Sequence, residues 1–270
     1  LGPVLKRYLP FIRNAFLTML AYRLRYFTGI ITYFVFVSVH YFIWQACFHG
    51  KAPGESINGF TFEEMITYIV LGWISRSLYF SDIDEEIDDL VRTGQITNYL
   101  LRPVNFQLLL LSQAFGSSLF RASFFTLPLS VFLLLVFPIL PPASVSALLY
   151  FLFSTFISFL ILAELNFIIG LLAFSLKSIQ GIIRAKYFLI QLFSGLLLPL
   201  SFFPEIIRRI SMLLPFQTIT YIPLRFYLGK VSTAELPGVI MHQTLWAISL
   251  FLIGKLMWHR AMERLTVQGG

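Results

Sequence analysis

Two charged residues stand inside long apolar runs of this 270-residue chain, and they are the first candidates for chemistry. Arg121 lies in the run from Phe106 to Phe137, and Glu164 in the run from Ala143 to Leu176. A charge facing hydrocarbon costs about 3 kcal/mol or more, so each must face protein, a water-filled path or the other. Their runs are consecutive and would be antiparallel, which leaves open a structural ion pair or the lining of a translocation path. Arg76 lies near the end of another run and can snorkel. Catalytic constellations are missing. His40, His49, His242 and His259 have no ligand-spaced neighbour, and the single Cys47 excludes an intrachain disulfide or a cysteine metal cluster. Gly254-Lys255-Leu256 lacks the earlier glycine and the following hydroxyl of a phosphate loop. No nucleotide site, metal site or cofactor is expected on this chain.

The segment Ser81 to Arg92 is the least ordinary. Ile83, Ile87, Leu90 and Val91 fall at i, i+4, i+7 and i+8, one apolar stripe on a helix. Six carboxylates fill the rest of it, of thirteen in the chain. Ser81 is expected to cap this helix and Gly94 to end it. An acidic helix is not drawn to an anionic leaflet, so its stripe wants either a groove in another protein or its own bundle. At the start of the chain, Leu5, Leu9, Ile12, Phe16 and Leu20 have helical spacing, with basic residues mostly off the stripe. Residues 1–25 read as an interfacial helix, in place of a cleavable signal. Ala114, Ser118 and Ala122 recur every four residues and would let another helix approach closely.

These segments must be held by elements that cross lipid. Hydrophobic residues make up 57% of the chain and charged ones 12%, with a mean hydropathy of +0.80. Runs matching a hydrocarbon layer of roughly 30 Å recur along it. They are Tyr26–Ala46, Phe60–Phe80, Phe106–Phe137, Ala143–Leu176, Gly181–Phe203 and Pro237–Trp258, with Met212–Leu228 doubtful. The third and fourth would need tilt, protrusion or a kink at Pro128. Pro215, Pro223 and Arg225 argue against a crossing at Met212–Leu228. Six crossings put thirteen of the 20 basic residues on the side of both termini and five on the other, with Arg76 and Arg121 inside. That bias makes the side of the termini cytoplasmic. Residues 200–230 then form an outer re-entrant hairpin, and 81–103 a cytoplasmic region. The net charge of +7 is assigned to span ends and anionic headgroups, not to nucleic acid. The fold expected is all-α and polytopic, a single transmembrane domain over 1–270.

One arrangement of motifs now stands out. A basic interfacial helix precedes the first run, and the acidic helix leads into Arg92-Thr93-Gly94-Gln95-Ile96-Thr97-Asn98-Tyr99-Leu100-Leu101-Arg102-Pro103. Leu214-Pro215-Phe216-Gln217 through Tyr221-Ile222-Pro223 to Tyr227-Leu228-Gly229 precedes the last run. This resembles the permease subunits of type-2 ABC (ABC-2) exporters of about 260 residues, whose ATPase is a separate chain. The resemblance covers nearly the whole length. It implies a subunit of the bacterial inner membrane with both termini cytoplasmic, a second identical or related permease, and two ABC ATPase subunits that hold the ATP and Mg. It makes Ile83, Ile87, Leu90 and Val91 the stripe of a coupling helix seated in the ATPase. It implies export, with an amphiphilic, cationic or lipid-like molecule the expected substrate; Glu164, as the carboxylate deepest in a run, is the residue expected to meet a cationic one. An ion-coupled secondary transporter and a scaffold without transport are the competing readings.

Overall fold

The computed structural model describes residues 2–22, 24–176 and 178–268. The side chains of Leu5, Arg25 and Arg264, and all of Arg23 and Lys177, lie outside the described residues, so the readings placed on them are not taken further. The described residues are helical throughout, apart from turns and one isolated bridge between Ile57 and Phe60. Four helical segments are long and apolar enough to cross a membrane: Thr28–Cys47, Phe106–Val136, Val145–Phe174 and Leu236–Glu263.

Local chemistry sets the boundaries. α1 (Gly2–Ala21) and α2 (Leu24–Cys47) are the first two helices. α3 (Phe62–Tyr79) starts on a capping box in which the Thr61 hydroxyl accepts from the Glu64 amide and the Glu64 carboxylate accepts from the Thr61 amide. α4 (Ile83–Arg92) and α5 (Ile96–Leu100) are short. α6 (Phe106–Arg121) starts on an Asn105 cap and runs through a π-helical turn, Ala122–Thr126, into α7 (Leu127–Val136). Tilt, protrusion or a kink at Pro128 was expected in this run. The wide turn lies just before it, because Pro128 donates no hydrogen bond and its ring crowds the preceding turn. α8 (Val145–Gly170) starts on a Ser144 cap and ends in a 3-10 turn, Leu171–Phe174.

The fifth run differs from the expectation of one crossing helix. α9 covers only Gln180–Phe193, about 21 Å at ~1.5 Å per residue. Gly195, at φ 83°, breaks it, and its carbonyl accepts the Tyr68 hydroxyl at 2.6 Å. The doubtful run is not one helix either. α10 (Glu205–Leu213), a 3-10 turn at Pro215–Thr218 and α11 (Tyr221–Tyr227) follow one another before α12 (Leu236–Gln268).

The chain at Thr218 and Thr220 is held inside the bundle by polar side chains. The Thr218 carbonyl accepts Gln243 Nε2 and the Ser158 hydroxyl, each at 2.9 Å. Thr220 and Tyr79 share a hydroxyl hydrogen bond of 2.7 Å. These bonds satisfy backbone groups that buried non-helical chain would otherwise leave unmade.

Packing sorts the connections to two ends. At one end Lys230 bonds the Gly59 carbonyl and Glu64, and the Ala143 amide donates to the Tyr227 carbonyl. At the other lie α4, α5 and the start of α9. One apolar cluster centres on α3 with α2, α7 and α11, and a second joins α4, α6, α8 and α12.

α1 lies along α6, and the close approach is at Gly116, where an added Cβ would sit 2.2 Å from the Ile12 carbonyl oxygen. The small-residue stripe at Ala114, Ser118 and Ala122 therefore flanks the contact without making its closest point. α1 packs on α6 with a face that only partly overlaps the apolar stripe read from sequence. Tyr8 is buried while Leu9 is exposed, because the face that meets α6 includes Tyr8, Ile12 and Phe16.

Candidate functional site

α4 forms over Ile83–Arg92, within the segment Ser81 to Arg92 read as a helix, and Gly94, at φ 72°, turns the chain away. Ser81 does not cap it. Asp82 holds the cap position without a side-chain bond, and the Ser81 hydroxyl has no partner among the described residues.

The apolar stripe faces inward. Ile83, Ile87 and Leu90 are buried in the cluster that includes α8, and Val91 is half-buried beside them. Gly170 makes the seat: a Cβ there would lie 2.7 Å from Ile87 Cδ1 and 3.0 Å from the Asp84 Cα. In this arrangement the four side chains hold α4 to its own chain and do not point outward. The physical reason is that the end of α8 is itself apolar and offers the nearest cover.

Two of the six carboxylates are buried on the same side. Lys186 of α9 brings its Nζ to 2.5 Å from Asp84 Oδ2 and donates to Asn166 Oδ1 at 2.7 Å. Asn166 Nδ2 donates to the Ser81 carbonyl at 2.5 Å, and Gln180 Nε2 donates to Asp88 Oδ2 at 2.7 Å. The side chains of Lys186 and Asp84 are 5% and 0% exposed. Burial pushes the Asp84 carboxyl above the usual range, and Lys186 pulls it back. Burial, with Asp82 adding repulsion, pushes Glu86 up to about 7. α4 is thus locked to α8 and α9 by an ion pair removed from water.

What remains outward is acidic. Asp82, Glu85 and Asp89 are exposed, with Arg92 paired to Asp89 at 2.6 Å. Beyond them Leu100 and Leu101 project, Leu101 at 84% exposed. The Arg102 guanidinium lies 4.8 Å from the Tyr99 ring centre.

The intramembrane charges do not pair with each other. Arg121 donates to the Ser77 and Phe80 carbonyls at 3.2 and 2.5 Å, where a cation suits the end of α3. Glu164 accepts from Gln107 Nε2 at 2.7 Å, and Gln107 also donates to the Phe251 carbonyl at 3.0 Å. Gln107 and Arg121 are fourteen residues apart on α6, about 21 Å, so Glu164 lies far from Arg121. Glu164 sits toward the α4 end of α8, about 29 Å from its start.

The description "ABC-2 family transporter protein" fits residues 16–269 of the chain. The chain belongs to that family. No curated protein matches it. As an ABC-2 family protein it is the membrane permease component of a transporter, an integral membrane protein with several candidate spans. Such subunits lack a nucleotide-binding site, and membership implies an ATPase partner. Among the described residues no group of three or more His, Cys, Asp or Glu is placed to hold a metal.

Sequence reasoning missed Lys186, Asn166 and Gln180 as the seat of α4 in this ABC-2 subunit. A signal was present. Asp84 and Asp88 are four residues apart and flank the Ile83–Ile87 edge, so a helix buried on that edge must bury them too. Their cations could not be chosen from sequence. Gln243 and the Ser154–Ser158 pair were missed likewise, although a glutamine in an apolar run needs a partner.

Proposed function

We propose that this ABC-2 subunit crosses the membrane six times and, with a second permease, forms the path of an ATP-driven exporter. The crossings are α2, α3, α6 with α7, α8, α9 with the chain up to 203, and α12. The division of connections between two ends supports this order, because it alternates along the chain. The basic-residue bias sets the α4 end in the cytoplasm. The segment 200–230 is read as the re-entrant outer hairpin, its non-helical tip shielded by Gln243, Ser158 and Tyr79 as a membrane requires.

The observation that carries the reading is α4. A short helix with a buried ion pair on one face and carboxylates on the other is a rigid lever with a polar grip. Ile83, Ile87, Leu90 and Val91 couple by fastening it to α8. Glu85 and Asp89, with Leu100 and Leu101, offer the surface for an ABC ATPase that binds ATP and Mg. ATPase closure would press on this surface and move α8 and α9 through Gly170 and Lys186. The path between two permeases would then open outward for an amphiphilic, cationic or lipid-like molecule. Glu164 is assigned to the inner part of that path for a cationic substrate, and Arg121 to holding the end of α3.

Co-expression with a candidate ABC ATPase tests the reading. The two should co-purify, the pair should hydrolyse ATP faster than the ATPase alone, and Leu101→Asp with Glu85→Lys should weaken the complex. Vesicle transport that persists without ATP and collapses with an uncoupler would instead establish the ion-coupled alternative. An intact complex with no substrate movement would favour the scaffold.

A further inference from the structure

Beside α4 lie two adjoining cavities of about 610 and 490 Å³ that share Met19, Asp82 and Glu85. They are built from different chemistry. The smaller lies between α2, α3 and the junction of α6 with the π turn, and its walls include Tyr33, Phe125 and the cations Arg76 and Arg121. The larger continues along α4, where Glu86 joins the two shared carboxylates and Asp89 is neutralised by its ion pair with Arg92.

The cations are held differently. Arg121 is 6% exposed and fixed by the carbonyls at the end of α3. Arg76 is half-buried, its guanidinium 5.9 Å from the Trp73 ring centre and 5.8 Å from that of Phe80, and no carboxylate of the described residues forms an ion pair with it. Arg76 lies fourteen residues into α3, about 21 Å from its start. In a hydrocarbon layer of roughly 30 Å that is the approach to the inner interface. Asp82 and Glu85 follow farther toward the cytoplasm. From the bilayer outward the walls therefore run aromatic, cationic, then anionic.

That order fits one class of ligand. A simple anion would meet repulsion from the carboxylates, and a simple cation would meet it from the arginines. A zwitterionic headgroup, with a phosphate next to the acyl chains and an amine beyond it, matches both charges in sequence. We propose that the paired cavities bind the headgroup of a phosphate- and amine-bearing amphiphile from the inner leaflet. Arg76 holds the phosphate, with the fixed charge of Arg121 behind it, and Asp82 and Glu85 hold the ammonium. This rests on the six-crossing orientation, which fixes the depth of each group.

The test is native mass spectrometry of the purified subunit from nanodiscs holding equal phosphatidylethanolamine, phosphatidylglycerol and diacylglycerol. Phosphatidylethanolamine should be retained over phosphatidylglycerol, and both over diacylglycerol. Arg76→Gln should lower phospholipid retention by about tenfold, with Arg76→Lys intermediate. Glu85→Gln should remove the preference between the two phospholipids and leave total retention in place. Equal retention of all three lipids, or no effect of Arg76→Gln, would overturn the site. A preference unchanged by Glu85→Gln and by Asp82→Asn would overturn the amine half.

Labelled phosphatidylethanolamine in proteoliposomes with a cognate ATPase separates the sources. ATP-dependent movement makes the bound lipid cargo, and stable retention makes it a resident lipid; both keep the site. Orientation is read independently by labelling Asp82→Cys, in a Cys47→Ser background, with an impermeant thiol reagent. Labelling from outside would overturn the six-crossing reading while leaving the headgroup chemistry standing.

Discussion

Replacing Lys186 with methionine should loosen α4 from the bundle without unfolding the subunit. In the native arrangement the Lys186 ammonium lies 2.5 Å from Asp84 Oδ2, and neither side chain is more than 5% exposed. Lys186→Met keeps most of the side-chain volume and removes the charge. Asp84 is then a buried carboxylate with its cation gone. Breaking a buried pair from one side costs about 3–5 kcal/mol, because the remaining charge has lost its compensation. The cheapest relief is for α4 to swing out, since it is a ten-residue helix at one end of the bundle and can open without unfolding the long helices. The cost should thus fall on local opening. Amide exchange across residues 83–92 should accelerate by roughly two to three and a half orders of magnitude, at about 1.4 kcal/mol per tenfold. Exchange in the middle of α8 should not change. Adding Asp84→Asn to Lys186→Met removes the stranded charge and should return exchange to within about tenfold of the parent, because a neutral pair has no ionic desolvation to offset. Hydrogen exchange with mass spectrometry on the reconstituted subunit reads all of this. Unchanged α4 exchange in the single variant, or a double variant as loose as the single, would refute the view that the ion pair seats the helix.

Four further outcomes follow from the same structure. Gly116→Ala should separate α1 from α6 at a cost of about 1–3 kcal/mol, read as faster proteolysis within residues 2–21, since its Cβ would meet the Ile12 carbonyl at 2.2 Å. Gln243→Leu should leave the Thr218 carbonyl short of a donor and lower thermal stability by about 1–3 kcal/mol, with faster exchange at 215–220. Glu164→Gln should fold as well as the parent, while Glu164→Ala should cost about 1–3 kcal/mol by stranding Gln107; a cationic substrate should lose transport in both. The Glu86 carboxyl, raised from 4.5 to about 7 by burial, binds its proton more tightly in the docked helix than in the free one. Docking is therefore strongest at low pH and weakens as pH rises through about 7. Exchange of α4, corrected for intrinsic rates, should rise across that window, and Glu86→Gln should flatten the rise.

The extent of α4 was legible because its code is local. A stripe at i, i+4, i+7 and i+8 and a glycine at the end need no distant residue, and the helix, Ile83 to Arg92, lies within the segment read from Ser81 to Arg92. The break at Met212–Leu228 was legible for the same reason, since Pro215 and Pro223 act on their own turns. The end of α9 was not. Gly195 stood in an apolar run, and nothing nearby revealed that Tyr68, 127 residues away, would take its carbonyl.

By itself the sequence determined that this chain lives in lipid, because runs this apolar cannot all be buried in a soluble core. It determined that no single helix runs through Met212–Leu228 and that an acidic amphipathic helix follows the second run. Tertiary structure decided the partners. Periodicity says that Ile87 faces something, and only packing says that the something is Gly170. Composition supplies Arg121 and Glu164 as charges needing company, and only the fold sends one to the carbonyls of α3 and the other to Gln107. The difference is physical: propensity and hydropathy act within a turn or a span, while a buried charge is settled by whichever opposite group the folded chain carries to within hydrogen-bond reach.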